Sequence, residues 1–137
     1  MKESINLKWL EKMAFEGELD GFKIKVDAKA DFGGTDQGPR PKPLMMVALA
    51  GCTAMDVISI LNKMKVEVDD FNVKVEGELT EDHPKHFTAM HIVYQFKGKE
   101  LSIDKLEKAI QLSQEKYCGV SATYRKVMKI THEIKIL

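Results

Sequence analysis

Arginine is scarce in this chain of 137 residues, which contains only Arg40 and Arg125. The 21 basic residues are balanced by 21 acidic ones, so the formal net charge at neutral pH is zero. The lysines are scattered singly and form no basic run. Proteins that bind nucleic acids usually carry a basic stripe or patch that follows the phosphate backbone. We therefore expect no nucleic-acid partner.

Cysteine is also scarce, and the amino-terminal segment has no hydrophobic core. The segment MKESINLKWLEK lacks an apolar stretch of signal-peptide length, so we expect a cytoplasmic protein. Thiols in that compartment are normally reduced. Cys52 and Cys118 therefore do not predict a structural disulfide, and inert burial, metal binding and redox chemistry all stay open.

The longest hydrophobic run lies between Leu44 and Leu61 and contains one charged residue, Asp56. A surface helix would show a polar stripe with a 3.6-residue period, so a helix of this composition must be buried or cross a membrane. Gly51, Thr53 and the aspartate favour burial, because a charge at the centre of a span costs roughly 3 kcal/mol. We expect a buried central helix and no membrane partner.

Segments with a two-residue hydrophobic period lie on both sides of this helix and predict strands. Before it, three short strands with turns at Gly17 and Gly21 predict an antiparallel meander. After it, two long strands joined by residues 80–86 predict a hairpin. An amphipathic helix follows, with Asp104 and Glu107 as a capping box, and then a last strand.

This order of elements indicates one α+β domain over residues 1–137, with antiparallel sheets wrapped around a central buried helix and no β-α-β alternation. Three short strands and a hairpin are too little to cover a helix that is apolar on almost every side. We therefore expect a second copy of the chain to cover the remainder in an obligate dimer.

The two cysteines are the candidate reactive residues, although each could also be a small buried hydrophobe. A reactive cysteine must be a thiolate, and burial opposes ionisation unless a cation or a helix amino terminus compensates. Cys52 lies in mid-helix, and Cys118 ends a helix unless residues 119–124 begin a new turn. Asp56, one turn after Cys52, could orient a thiol or a water. The candidate activating side chains are Arg40, Lys42, Arg125 and His132.

Two segments, PKPLMMVALAGCTAMDVISIL and LSQEKYCGVSATYRKVMKITHEIKI, carry a specific combination of residues. A cysteine follows an Ala-Gly pair and precedes DVISIL, and a second cysteine follows a tyrosine on a later helix. This combination resembles the OsmC and Ohr superfamily, the osmotically inducible and organic hydroperoxide resistance proteins. Within it, the chain looks most like the branch of small OsmC-like redox proteins, and the resemblance covers essentially its whole length.

The resemblance implies an OsmC-like fold in an intertwined homodimer, with active sites at the subunit interface. It also implies a thiol peroxidase, in which Cys52 attacks an organic hydroperoxide and Cys118 converts the resulting sulfenic acid to a disulfide. An external dithiol, of the lipoyl or thioredoxin-like type, would restore both thiols, and we expect no cofactor and no metal. The apolar pocket that would favour fatty hydroperoxides would be lined from Met45, Met46, Leu49 and Met55.

The chain departs from the peroxidase branch at one place. That branch has an acid nine or ten residues before the first cysteine, paired with an arginine from near the front of the chain. Here the two positions are Pro43 and Lys42, and no arginine precedes Arg40. A non-enzymatic OsmC-like dimer that binds a small apolar ligand at the subunit interface is therefore an alternative function.

A zinc site is a second alternative. It would use His83, His86 and His91 with a cysteine, but these residues lack the CxxC or HExxH spacing that usually marks such sites.

Overall fold

A computed structural model describes all 137 residues, which fall into two compact units, residues 1–45 and 46–137. The first unit contains a three-stranded antiparallel meander of β1 (Leu7–Glu11), β2 (Ala14–Leu19) and β3 (Phe22–Val26). The predicted meander is therefore confirmed. Ala14 and Val26 are its buried apolar residues.

The first turn of the meander is not at Gly17, as predicted from the sequence. Gly17 lies inside β2 and pairs with Leu7, while the chain reverses near Lys12, whose φ is 49°. A Cβ atom at Gly17 would lie 2.7 Å from the carbonyl oxygen of Asn6. Glycine is needed there for close approach of the neighbouring strand and not for a reversal. The second predicted turn is confirmed at Gly21, with φ 84°.

The loop after β3 is held by the buried carboxylate of Asp27. Its oxygens accept hydrogen bonds from the backbone N–H groups of Ala28 at 2.7 Å, Thr35 at 3.1 Å and Gln37 at 3.1 Å. Burial by itself raises the pKa of the Asp27 carboxyl, but these bonds to the charged form outweigh it and lower the pKa below its ordinary value.

The second unit contains one long helix, a second sheet and a helical crossover. Its elements are α1 (Leu44–Lys63, which begins two residues before the unit), β4 (Asp70–Leu79), β5 (Phe87–Lys97), α2 (Ile103–Leu112), a π-helical turn (Ser113–Tyr117), α3 (Gly119–Tyr124) and β6 (Lys129–Ile136). The predicted hairpin is confirmed, because β4 and β5 pair antiparallel on either side of residues 80–86.

The last strand pairs in the direction opposite to the prediction. β6 runs parallel to β5, from Ala89 opposite Lys129 to Phe96 opposite Ile136. The helices between the two strands carry the chain back to the starting end of the sheet, which is the connection that parallel pairing requires. The sheet is therefore mixed, and β5, the helices and β6 form the β-α-β unit that the sequence analysis did not expect.

The amino terminus of α2 also differs from the prediction. Ser102 is its N-cap, and its hydroxyl accepts the N–H of Lys105 at 3.4 Å, so Asp104 and Glu107 do not form the capping box. Serine is among the preferred N-cap residues because its short side chain reaches the free amides of the first turn.

The core of the second unit lies between the helices and one face of β5. The inward-facing residues of β5 are Met90, Ile92, Tyr94 and Phe96, all fully buried or nearly so. From α1 the core receives every fourth residue, namely Leu49, Thr53, Val57 and Leu61. From α2 it receives Leu106, Ala109 and Ile110.

The opposite side of α1 is not covered within the chain. Val47 is 64% exposed and Met55 is 73% exposed, and a Cβ at Gly51 would meet no atom within 4 Å. By length and composition α1 could cross a membrane, and 22% of its apolar window is buried. The core helix of a globular protein meets the same criterion of length and composition. The prediction that the central helix is buried is therefore confirmed for one of its faces only.

Candidate thiol site

Cys52 and Cys118 lie side by side in the second unit. Their sulfur atoms and a carboxylate oxygen of Asp56 all lie within 4.8 Å of one another. Cys52 is on α1 and half-buried, and Cys118 is 3% exposed at the junction of the π-helical turn and α3. Two residues that are 66 positions apart in the sequence thus meet with the acid that follows the first of them by one helical turn.

The start of α3 supplies backbone donors to both sulfurs. Cys118 is the N-cap of α3, and its Sγ accepts the N–H of Ser121 at 3.3 Å. The N–H of Val120 donates to the thiol of Cys52. Residues 119–124 do begin a new helix after Cys118. This cysteine therefore lies at a helix amino terminus, where a thiolate is stabilised.

Burial raises the pKa of the Cys52 thiol above its usual value. The N–H of Val120 opposes this effect because it stabilises the thiolate. The hydrogen bond and charge of Cys118 and the charge of Asp56 raise the pKa further. The electrostatic effect of Asp56 is therefore the reverse of activation.

Asp56 ends a directional chain of buried hydroxyls. The hydroxyl of Ser113 donates to Oδ2 of Asp56 at 2.9 Å, so the Thr53 hydroxyl, 2.8 Å from Ser113, must donate to it. Tyr94 lies 2.7 Å from Thr53 and donates in turn, and burial raises the pKa of Tyr94 to about 12, which keeps its proton in place. The carboxylate therefore sets the polarity of the whole chain of hydroxyls.

Gln114 joins this chain to the segment that carries Cys118. Its amide Nε2 donates to Thr53 at 3.1 Å and to Tyr94 at 3.0 Å. Its Oε1 accepts from the hydroxyl of Ser121 at 3.0 Å and from Arg125 at 2.9 Å. Arg125 also donates to the backbone carbonyl of Gln114 at 2.9 Å. Arg125 thus braces the turn before Cys118.

Of the other three candidates, His132 lies on β6, with its Nε2 3.6 Å from Oε2 of Glu107. Arg40 and Lys42 belong to the first unit. Arg40 lines a cleft of about 350 Å³ together with Lys29 and Asp36. Lys42 is exposed, and its carbonyl accepts the N–H of Met45 in the turn before α1.

Sequence reasoning missed the polar residues that support the site, chiefly Thr53, Tyr94, Ser113 and Gln114. One signal was available. Ser113 falls on the same face of the predicted amphipathic helix as Leu106 and Ile110, and a polar residue on an apolar face must find a buried partner. Its partner could not be read from the sequence, because Asp56 is 57 residues away.

Two of the three histidines of the alternative zinc site, His86 and His91, make hydrogen bonds to different partners. His91 lies 2.7 Å from Thr131 and 3.0 Å from Glu133 on β6, and His86 lies 2.7 Å from the carbonyl of Pro84. The three potential metal ligands that converge are Cys52, Asp56 and Cys118.

A half-open cleft of about 290 Å³ lies beside Asp56. Its apolar lining comes from Ile60, Leu112 and Tyr117, and its polar lining from Ser59 and Lys63. Of the residues expected to line an apolar pocket, Leu49 is instead in the core and Met55 is exposed.

The sequence model of the OsmC-like protein family matches residues 33–133, a segment that includes both cysteines. The chain belongs to this family. The OsmC-like chain is also 34% identical over 132 residues to protein YhfA of Escherichia coli strain K12, and the match covers 96% of each. The superfamily predicted from the sequence is thus confirmed.

Solved structures share the OsmC-like fold over nearly the whole chain. A hypothetical protein from Aquifex aeolicus VF5 is 29% identical, with a TM-score of 0.83 and coverage of 100% of this chain and 98% of that one. The organic hydroperoxide resistance protein OsmC from Legionella pneumophila is 18% identical, with a TM-score of 0.67 and 97% of each chain covered. The α+β, OsmC-like fold class is confirmed.

Proposed function

We propose that this OsmC-like protein reduces organic hydroperoxides with a pair of cysteines, Cys52 as the attacking thiol and Cys118 as the resolving thiol. The observation that carries the proposal is the convergence of the two sulfurs within 4.8 Å. A disulfide requires sulfurs about 2.0 Å apart, so modest movement of the two side chains brings them to bonding distance. The hydroperoxide resistance protein from Legionella pneumophila shares the fold.

The proposed reaction has three steps: peroxide reduction, disulfide formation and reduction of the disulfide. The Cys52 thiolate attacks the distal oxygen of ROOH, which breaks the O–O bond and, with one proton taken up, leaves a sulfenic acid and the alcohol ROH. The Cys118 thiol then displaces water from the sulfenic acid to form the disulfide. An external dithiol, lipoyl-type or thioredoxin-like, reduces this disulfide and is itself oxidised to a disulfide.

The assignment of the two roles rests on exposure and on the backbone donors. Cys52 is half-buried and can meet a peroxide, whereas Cys118 is almost fully buried and is suited to react with its neighbour. The N–H groups of Val120 and Ser121 hold the two sulfurs at one end of α3. Because burial, Cys118 and Asp56 raise the pKa of Cys52, fast turnover at neutral pH requires a compensating cation.

The proposed active species is a homodimer in the cytoplasm. Support for a dimer comes from the uncovered apolar face of α1, which exposes Val47 and Met55 and has open space beside Gly51. Contiguous apolar surface of this kind is typical of a protein interface. A second copy on this face would also wall the half-buried Cys52 with apolar groups and favour alkyl or fatty hydroperoxides over hydrogen peroxide.

The test is a count of free thiols after the reduced protein meets cumene hydroperoxide. We expect the wild type to lose two thiols per chain, Cys52→Ser to consume no peroxide, and Cys118→Ser to consume one equivalent and stop as a sulfenic acid that dimedone labels. Two free thiols remaining in the wild type would contradict the proposal. Normal turnover by Cys118→Ser would remove the resolving role.

Binding of a small apolar ligand is the second candidate, and two observations favour it. The pKa of Cys52 is raised, and the positions of the acid that pairs with arginine in the peroxidase branch hold Pro43 and Lys42. This function needs neither thiol. Unchanged thiols after peroxide treatment, together with saturable binding of a fatty acid by both cysteine variants, would support it.

A further inference from the structure

We infer that Cys52, Cys118 and Asp56 of the reduced protein form a binding site for a thiophilic divalent cation of the Zn²⁺ type. The site is made of two sulfurs and one oxygen from a single chain, and it uses none of the histidines of the zinc site considered from the sequence. Thiolate sulfur with one carboxylate oxygen is a donor set that suits Zn²⁺ and Cd²⁺ and disfavours Mg²⁺ and Ca²⁺.

The separations of the donor atoms are close to what a tetrahedral ion requires. With Zn–S bonds of about 2.3 Å and a Zn–O bond of about 2.1 Å, neighbouring donors lie roughly 3.6–3.8 Å apart. In the protein all three donors already lie within 4.8 Å of one another. The three donors therefore need to move only slightly closer together for an ion to bind.

The acidic groups of Cys52, Asp56 and Cys118 favour binding of a cation between them. The carboxyl of Asp56 lies within 4.8 Å of both sulfurs, so an ionised thiol there lies beside another negative charge. Each negative charge there makes the next ionisation more costly. A divalent ion would offset this repulsion and let both thiols ionise, as coordinated thiols do.

Hydrogen bonds outside the donor set already orient each ligand. Ser113 donates to Oδ2 of Asp56 at 2.9 Å, which holds the carboxylate in place. Ser121 N–H bonds the sulfur of Cys118, and Val120 N–H bonds that of Cys52. Such outer contacts normally fix ligand orientation in metal sites and affect affinity by about 10- to 100-fold.

The fourth position of the ion would face solvent. Cys52 is half-buried, and the cleft of about 290 Å³ opens beside Asp56. Three protein ligands with an open fourth position permit water or an exchangeable ligand to bind. The site therefore takes up and releases its ion and is not a closed structural site.

Metal binding and disulfide formation exclude each other, because both use the same two sulfurs. The bound ion would protect the thiols from oxidation, and oxidation would expel the ion. This protection applies to any oxidant, so it does not depend on the proposed peroxide reduction. If that function holds, the same ion inhibits it.

The experiment titrates the full-length reduced protein with Co²⁺ and Zn²⁺ under anaerobic conditions. We expect one Co²⁺ per chain with the ultraviolet absorption of thiolate-to-cobalt charge transfer, displaced by Zn²⁺. Cys52→Ser and Cys118→Ser should each lose most of that absorption and most of the Zn²⁺ affinity. Asp56→Asn should keep the absorption and bind Zn²⁺ more weakly than the wild type. His91→Gln is the control and should bind as the wild type does.

Circular dichroism and thermal melting of each variant identify any that fail to fold. Absence of charge-transfer absorption in folded wild-type protein, or Zn²⁺ binding that Cys52→Ser leaves unchanged, would overturn the metal site. No peroxide enters this titration, so a failed peroxidase test with an intact cobalt spectrum removes the proposed function alone. Loss of thiols to peroxide without any cobalt charge-transfer absorption would overturn the metal site and leave the proposed function intact.

Discussion

Cys52 illustrates how neighbours, and not the residue type, determine the reactivity of a thiol. It lies on an apolar helix, and burial, Cys118 and Asp56 all favour its neutral form. The N–H of Val120 favours the thiolate but does not outweigh these effects. The reactivity of this thiol should therefore depend steeply on pH through the neutral range.

We predict that alkylation of Cys52 by iodoacetamide has a midpoint above the usual cysteine pKa of about 8.5, and that its rate rises about tenfold per pH unit below that midpoint. Asp56→Asn should lower the midpoint, because it removes one of the charges that raise the pKa. Mass spectrometry of the labelled peptide follows the rate. Glu78→Gln on β4 is a matched control and should leave the midpoint unchanged. A higher midpoint in Asp56→Asn would contradict the electrostatic assignment.

The raised pKa of Cys52 also determines how this residue makes the free energy of unfolding depend on pH. The folded protein holds this proton more tightly than the unfolded chain does, so the contribution is fully present below the unfolded pKa. It is lost as pH rises through the folded pKa, and the free energy of unfolding should fall in the alkaline range.

Thr53 is the residue on which the buried hydroxyls depend, since it contacts Tyr94, Ser113 and Gln114. We predict that Thr53→Val, which keeps the side-chain shape, lowers the free energy of unfolding by about 1–3 kcal/mol, because it leaves buried polar groups without a partner. Urea denaturation measures the change. Thr88→Val, at an exposed position of β5, is the control, with an expected change within about 0.5 kcal/mol. Equal effects of the two substitutions would show that the buried contacts add nothing.

The segment from Ser113 to Tyr124 is the element that brings Cys118 to Cys52. A π-helical turn replaces the regular end of α2, and the N–H of Cys118 bonds the carbonyl of Ser113 at 2.7 Å. α3 then begins at once, so the thiol lies between two helical segments. Such single π-turns are frequent at functional sites because they redirect the chain within a helix.

We predict that Arg125→Ala slows disulfide formation between Cys52 and Cys118 while it leaves the first reaction with peroxide nearly unchanged. Arg125 makes two bonds to Gln114, and hydrogen bonds to charged groups are worth about 1.5–3 kcal/mol each. Its loss should loosen the turn that holds Cys118. Dimedone trapping in a time course separates the two steps, and Lys126→Ala serves as the control. Unchanged trapping in Arg125→Ala would exclude this positioning role.

A single chain leaves uncovered the side of α1 opposite Leu49, Thr53, Val57 and Leu61, where Val47 and Met55 are exposed. Apolar side chains on the exposed side of the longest helix are costly in water, at about 25 cal/mol per Å² of apolar area. Burial against a second chain removes that cost.

We predict that the wild type is a dimer and that Val47→Glu converts it to a monomer. Val127 is a matched control because it is also an exposed valine: Val127 is 78% exposed and Val47 is 64% exposed. Val127→Glu should leave the dimer intact. Gly51→Leu is a second test. A lone chain has room for the new side chain. A partner helix packed against Gly51 would clash with it, so the substitution should disrupt the dimer. Sedimentation velocity gives the masses, and a monomeric wild type would rule out the dimer.

Much of the fold followed from local patterns. The meander, the hairpin, the apolar helix and the amphipathic helix were predictable because the period of apolar residues depends on the geometry of each element. The pairing direction of β6 was not, because nothing in a strand specifies whether its neighbour runs parallel. The role of Gly17 was also ambiguous, since glycine marks both turns and close strand contacts.

The sequence by itself determined the elements, the family and the two cysteines, because side-chain periodicity and short motifs are local properties of the chain. The tertiary structure alone decided that Cys52, Asp56 and Cys118 meet, and that Ser113, Gln114 and Arg125 hold them. Contacts between residues about 60 positions apart arise from packing of elements, and packing direction has no local signal. It also decided the direction of the shift in the Cys52 pKa, because that shift depends on burial and on the distances to other charges.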